Sequence, residues 1–153
     1  MTRVGLISDT HGLMRPEALS ALAGVTHIVH AGDIGTPEIL TQLRAIAPVT
    51  AVRGNNDKDA WARGIAEHEV VEIGGKLIYV LHDLKELDVD PTASGFSVVV
   101  TGHSHKPLIS TRDDVLYVNP GSAGPRRFKL PICVATLEIA GDAIRAEIRE
   151  LSL

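Results

Sequence analysis

Five short apolar runs rich in Val, Ile and Leu constrain this chain more than any other feature: Val4–Ser8, Thr26–His30, Val49–Val52, Leu77–Leu81 and Ser97–Thr101. Each is too short for a typical helix and suits a buried strand. Helical patterns separate the first three. Arg15–Leu22 carries Pro16 near a helix start, and Pro37–Ile46 places Ile39, Leu40, Leu43 and Ile46 on one face behind a Thr36 cap. Strands alternating with helices predict a mainly parallel sheet.

The later chain changes character. Glu69–Ile73 and Lys76–Leu81 flank Gly74-Gly75, and Pro107–Thr111 and Val115–Val118 flank Asp113-Asp114, so both read as hairpins. Two last strands follow, Ile132–Ile139 and Ala143–Glu150, joined through Gly141-Asp142. The second alternates Ile144, Ala146 and Ile148 with Arg145, Glu147 and Arg149, the pattern of a strand with one wet face. The fold expected is α/β (α+β): two mixed β-sheets packed as a sandwich, with helices on the outer faces. At 153 residues the chain spans one domain, 1–153.

With 3% aromatic residues, the core must be aliphatic and few rings are left for stacking on bases. A net charge of −4 argues against a broad basic surface for DNA or RNA, so a nucleic-acid polymer is not the expected partner. The single cysteine, Cys133, excludes an intrachain disulfide and reads as a small buried hydrophobe. The first apolar run is broken at once by Ser8 and Asp9, so it is no signal-peptide core. No run reaches the ~18 apolar residues of a membrane span. The expectation is a cytoplasmic protein without a membrane partner, in which exposed sheet edges leave room for a homo-oligomer.

Metal-competent residues sit where the five runs end: Asp9 and His11, then Asp33, then Asn55, then His82, then His103 and His105. In open α/β sheets, ligands bind in the crevice beyond the carboxyl ends of the strands, so five loops are placed to converge. Asp9/His11 and His103/His105 are i, i+2 pairs, which in extended backbone point the same way. Glycines accompany them at Gly12, Gly32, Gly54 and Gly102, where close backbone approach is expected. The donor set combines carboxylate, amide oxygen and imidazole, and lacks thiolate. That mixture suits Mn, Fe, Zn, Co or Ni better than Mg or Ca.

Asp9-Thr10-His11, Gly32-Asp33, Gly54-Asn55-Asn56-Asp57, His82 and Gly102-His103-Ser104-His105 resemble, in order, the D-x-H, G-D, G-N-x-D, H and G-H-x-H motifs of the calcineurin-like metallophosphoesterases. The small size, Asn119-Pro120-Gly121-Ser122 and Pro125-Arg126 are similar to the compact YfcE-type phosphodiesterases in particular. The resemblance implies a four-layer αββα fold and a hydrolase acting on a small phosphate ester. It also implies two divalent transition-metal ions, Mn foremost. One ion would be held by Asp9, His11, Asp33 and His105, the other by Asp33, Asn55, His82 and His103, with Asp33 bridging. A hydroxide between ions ~3.5–4 Å apart is the implied nucleophile.

Many members of that family carry a histidine directly after the Gly-Asn, positioned to protonate the leaving oxygen. This chain has Asn56 there, which has no proton to give, so phosphodiesters or aryl esters are the expected substrates. By analogy, Asp57 would orient Asn56 or a ligand. His27 and His68 read as ordinary surface or strand histidines. His30 is open to a supporting role behind the ligands, and Asp83, beside His82, is a weaker case of the same kind. Arg126, Arg127 and Lys129 read equally as phosphate contacts, with Asn56, or as a solvated basic patch. Some members of the superfamily keep the fold as a protein-binding scaffold with eroded ligand histidines. That reading, and a nuclease, are the alternatives to a small-molecule phosphodiesterase.

Overall fold

Alternation of inward aliphatic and outward polar residues yields ten strands in the computed structural model, which describes residues 1–153. The order is β1 (Thr2–Ile7), α1 (Pro16–Ala21), β2 (His27–His30), α2 (Pro37–Arg44), β3 (Val49–Ala51), β4 (His68–Ile73), β5 (Lys76–Leu81), β6 (Phe96–Val100), β7 (Leu108–Arg112), β8 (Val115–Asn119), β9 (Cys133–Ala140) and β10 (Ala143–Glu150). One sheet runs β10-β9-β1-β2-β3 and the other β4-β5-β6-β8-β7. β1, β2 and β3 are parallel to one another, as are β5, β6 and β8, while β9, β10, β4 and β7 pair antiparallel with their neighbours. Both sheets are therefore mixed, as the sequence predicts.

The sheets pack face to face over a wholly aliphatic layer. Val4, Leu6 and Val29 of the first sheet meet Ile78, Val80, Val98 and Val100 of the second, all fully buried. On its outer side the first sheet carries α1 and α2, packed through Ala18, Leu22, Ile39 and Leu43 onto Ile7, Ile28 and Val134. The outer side of the second sheet is covered more thinly. A 3₁₀ turn at Leu84–Glu86 lies beside Tyr79, Leu81 and Val99, and no α-helix forms between β5 and β6.

Both hairpin turns have two consecutive residues at positive φ, Gly74-Gly75 and Asp113-Asp114, as a type I′ turn requires. Thr36 occupies the N-cap position of α2 with extended backbone, yet its hydroxyl makes no cap hydrogen bond. Pro37, at the first helical position, leaves one fewer unpaired N–H at this helix start. Cys133 is buried on β9, and burial, with the charge of Glu150, pushes its thiol pKa up. No helix is long and apolar enough to cross a membrane.

Leu6 sits in the layer between the sheets with no exposed surface. Leu6→Ala is expected to destabilise the protein by about 2–5 kcal/mol, read as a lowered urea midpoint at unchanged m-value.

Candidate metal centre

The loop after β1 and the loop after β2 are laced backbone to backbone. Asp9 N–H donates to the Gly32 carbonyl (3.0 Å), His11 N–H to Asp33 (2.9 Å) and Gly12 N–H to Ile34 (2.8 Å). The lacing is not extended strand. Asp9, His11, Asp33, His103 and His105 all have positive φ, between 47° and 69°. Side chains in this region are rare and cost of order 1–3 kcal/mol each. The i, i+2 pairs thus reach the site through left-handed turns, which corrects the expectation of extended backbone. Two glycines make room: a Cβ on Gly54 would overlap the Asp33 carboxylate, and one on Gly102 would overlap Ser8 and Asp9.

All five loops meet. Asp9, His11 and His105 form one group of potential ligand atoms, and Asp33, His82 and His103 a second, each within 4.8 Å. Asp33 Oδ2 lies 3.7 Å from His11 Nε2 and 3.2 Å from His82 Nε2, so it faces both groups. Asp9 Oδ1 lies 3.4 Å from His105 Nε2 and 3.8 Å from the Nε2 atoms of His11 and His82. Asn55 is exposed and lines a cavity of about 170 Å³ together with Arg53, His82 and His103.

The electrostatics are those of paired carboxylates set among imidazoles. Burial raises the pKa of Asp33, but the His82 hydrogen bond, the Asn56 N–H and the charges of His82 and His11 bring it down to about 2. Asp9 follows the same pattern: burial opposes ionisation, and contacts from His105, His82 and Ser8 hold its pKa below the ordinary value. Burial lowers the His82 pKa, while Asp33 and Asp9 raise it by more.

Divalent cations fit these atoms. Asp9 Oδ1 and His11 Nε2 are buried without any hydrogen-bond partner. The Nδ1 proton of His82 is committed to the Ala31 carbonyl at 2.7 Å, which leaves Nε2 facing Asp33 at 3.2 Å, as a donor when the ring is protonated and as a lone pair open to a cation when it is neutral. Lone pairs facing one another around a buried point call for protons or cations. The mixture of oxygen and imidazole nitrogen donors is that of a transition-metal site.

Around the ligands stands a set of buried polar residues. Asp57 accepts N–H bonds from Ile34 (3.0 Å), Gly35 (3.1 Å) and Gly54 (2.9 Å), so its carboxylate pins the Asp33 and Asn55 loops together and is not aimed at Asn56. Asn56 instead donates to Asp33 twice, from its backbone N–H (2.9 Å) and its side-chain amide (3.3 Å). His30, fully buried, accepts the Gly32 N–H at Nδ1, leaving its Nε2 proton for Thr10, whose hydroxyl donates on to Ile34. Asp83 Oδ2 lies 3.8 Å from His103 Nε2.

The turn Asn119–Ser122 does more than reverse the chain. Asn119 donates to the Gly102 carbonyl and to Ser104, and Ser122 donates to the Asp9 carbonyl. It thereby clamps the first and last ligand loops. Sequence reasoning missed this clamp and the Ser8 hydroxyl, which donates to Asp9. Ser8 and Asn119 had a signal, a polar residue at the end of a buried strand, whereas Ser122 had none. Arg126 donates to the Leu130 carbonyl and closes its own loop, whereas Arg127 lines an open cavity with Ser104 and Lys106.

Comparison with known proteins shows the family. The model of the calcineurin-like phosphoesterase superfamily domain matches residues 2–142. A probable metallophosphoesterase of Methanothermobacter thermautotrophicus is 36% identical, over 95% of this chain and 90% of its own length. A phosphodiesterase of Methanocaldococcus jannaschii is 27% identical, over 78% of this chain and 82% of its own. Among solved structures, Vps29 of Chaetomium thermophilum superposes with a TM-score of 0.80 at 19% identity, covering 99% of this chain and 100% of that one, a likeness of fold.

Burial lowers the His30 pKa from 6.5 to about 4, against opposing carboxylates. The folded protein thus keeps His30 neutral while the unfolded chain protonates, so its stabilisation is complete above about pH 6.5 and is lost as pH falls toward 4. In chelator-treated protein, wild type is expected to lose about 2 kcal/mol more than His30→Asn between pH 6.5 and ~5. Asparagine keeps an acceptor near the Nδ1 position but does not titrate. Parallel pH profiles for the two proteins in urea unfolding would refute the assignment.

Proposed function

This chain belongs to the calcineurin-like phosphoesterase superfamily, and we propose that it is a binuclear metal-dependent phosphodiesterase acting on a small phosphate ester. The observation that carries this reading is the position of Asp33 Oδ2, facing His11 on one side and His82 on the other. Asp9, His11, Asp33 and His105 would hold one divalent ion, and Asp33, Asn55, His82 and His103 the second. Mn is the first choice, with Fe, Zn, Ni and Co as alternatives. When bound, such a pair supplies the Lewis acidity that deprotonates water near neutral pH and takes up phosphoryl charge.

The chain's own residues set the rest. Asp57 and the Asn119–Ser122 clamp keep the loops in register before any ligand arrives. Asn56 braces Asp33 and supplies no acid for the departing oxygen. Esters with good leaving groups, diesters and aryl esters above alkyl monoesters, are therefore the substrates that fit. A protein-binding scaffold of the same fold would have no need of two groups of potential metal ligands, Asp9, His11 and His105 beside Asp33, His82 and His103, and a nuclease would require a positive channel that a net charge of −4 does not advertise.

Metal analysis of purified protein is expected to find about two transition ions per chain, falling with Asp33→Asn. Turnover of bis(4-nitrophenyl) phosphate with added Mn²⁺ should fall at least roughly 100-fold in that variant. Equal turnover by the two proteins would dismiss the role of Asp33. Asn56→His, which offers a proton, is expected to raise alkyl-monoester turnover by roughly tenfold or more relative to the aryl diester. A wild-type protein that already cleaves alkyl monoesters faster than aryl diesters would overturn the preference.

A further inference from the structure

The two sides of the centre carry opposite charge. Beyond Asn55 and His82 the wall is acidic: Glu67, Asp83 and Glu86 line the cavity there, and its one cation, Arg53, is already paired with Glu67 at 3.0 Å. Beyond His103 lies a cavity of about 500 Å³, within the range of small-molecule sites, on the thinly covered outer face of the second sheet. Three cations, Lys85, Lys106 and Arg112, line it against one carboxylate, Asp83, which it shares with the acidic cavity, and the Arg112 guanidinium lies 5.0 Å over the Tyr117 ring. Lys106 also borders a second, more open cavity with Arg127, Phe128 and Lys129. The Lys106 N–H donates to Ser104, the residue between the two ligand histidines, so this cationic face begins at the centre itself.

Phe128 is the odd member. In a chain with two phenylalanines, this one is 89% exposed and holds φ at 54°, on a short loop closed by the Arg126–Leu130 and Leu130–Arg127 hydrogen bonds. Left-handed backbone is strained for a bulky side chain, and here it presents the ring to solvent between Arg127 and Lys129. A ring flanked by cations is suited to stacking on a planar group that carries negative charge.

We propose that this face receives the substituent of a phosphodiester that bears a planar ring and further anionic charge, as a nucleotide does, while the acidic wall takes the uncharged or cationic substituent. The proposal rests on the hydrolase reading above and deepens it into a substrate class and an orientation. Lys106 and Arg127 would bind the added anion, and Phe128 would stack on the ring.

Calorimetric titration of chelator-treated protein with ADP, adenosine and pyrophosphate tests it without turnover. ADP is expected to bind more tightly than either fragment. Lys106→Ala and Phe128→Ala should each weaken ADP by about tenfold, the size of one charge-assisted hydrogen bond or one stacked base. Lys76→Ala removes a charge at the Asp142 pair outside this face and should leave the affinity within about twofold. Three results would each overturn the proposal: no saturable ADP binding, an affinity unmoved by Lys106→Ala and Phe128→Ala, or an equal loss in Lys76→Ala. Turnover of bis(4-nitrophenyl) phosphate by metal-loaded wild type reports separately on the hydrolase. Its absence alongside variant-sensitive ADP binding would remove the chemistry and leave the binding face standing.

Discussion

Two buried carboxylates facing several imidazoles decide what this fold must do. Asp9 and Asp33 are almost entirely out of solvent, and taking a charge out of water is costly unless partners surround it. Hydrogen bonds from Ser8, the His103 N–H and Asn56 meet part of that cost. The remainder, notably Asp9 Oδ1 and His11 Nε2, has no partner within the chain. The proposed pair of cations would resolve the imbalance with the least rearrangement, because the lone pairs already converge. The wholly aliphatic layer between the sheets contributes by its indifference: it holds two parallel strand sets with their carboxyl ends at one rim and imposes no polar demand of its own.

Rigidity at that rim comes from backbone more than from side-chain packing. Five ligand residues in left-handed conformation would relax if their loops were free. They are held by bonds between loops: β1's to β2's through Asp9, His11 and Gly12, β2's to β3's through Asp57, and the first to the last through Ser122 and Asn119. His30 fits the same logic, with its single proton directed to Thr10 and its lone pair to Gly32. A charged imidazole would set two N–H groups head to head, in keeping with its lowered pKa.

Much of this was legible in the residues. Short Val- and Ile-rich runs gave the strands, Gly74-Gly75 and Asp113-Asp114 gave the hairpins, and the polar residues beyond the runs marked side chains that the fold brings together, Asp9, His11 and His105 in one group and Asp33, His82 and His103 in another. What escaped was long-range hydrogen bonding. Asp57 binds three backbone amides from two other segments, and Ser122 reaches Asp9 across most of the chain, and no local pattern announces either contact. The backbone at Asp9 and His11 was misjudged for a related reason. Alternating spacing is the signature of a strand, but two residues in a left-handed turn satisfy the same spacing, and only the neighbouring loop decides between them.

The thin cover on the second sheet connects the fold to specificity. On the first sheet, α1 and α2 seal the outer face, so nothing near Ile7 or Ile28 can vary without disturbing the core. On the second, Leu84–Glu86 supplies one turn of 3₁₀ helix, and the outer faces of β7 and β8 stay open beside His103. Arg112 and the neighbouring Lys106 are exposed there and free to be chosen for what they touch, while Tyr117 is half-buried against Tyr79, Leu81, Val99 and Val115. In the proposed hydrolase the metal-binding side chains are thus set where the sheet ends meet, and substrate choice would be left to the flank where the sandwich is least covered. A chain built this way can keep one hydrolytic centre and change its substrate through a few exposed positions.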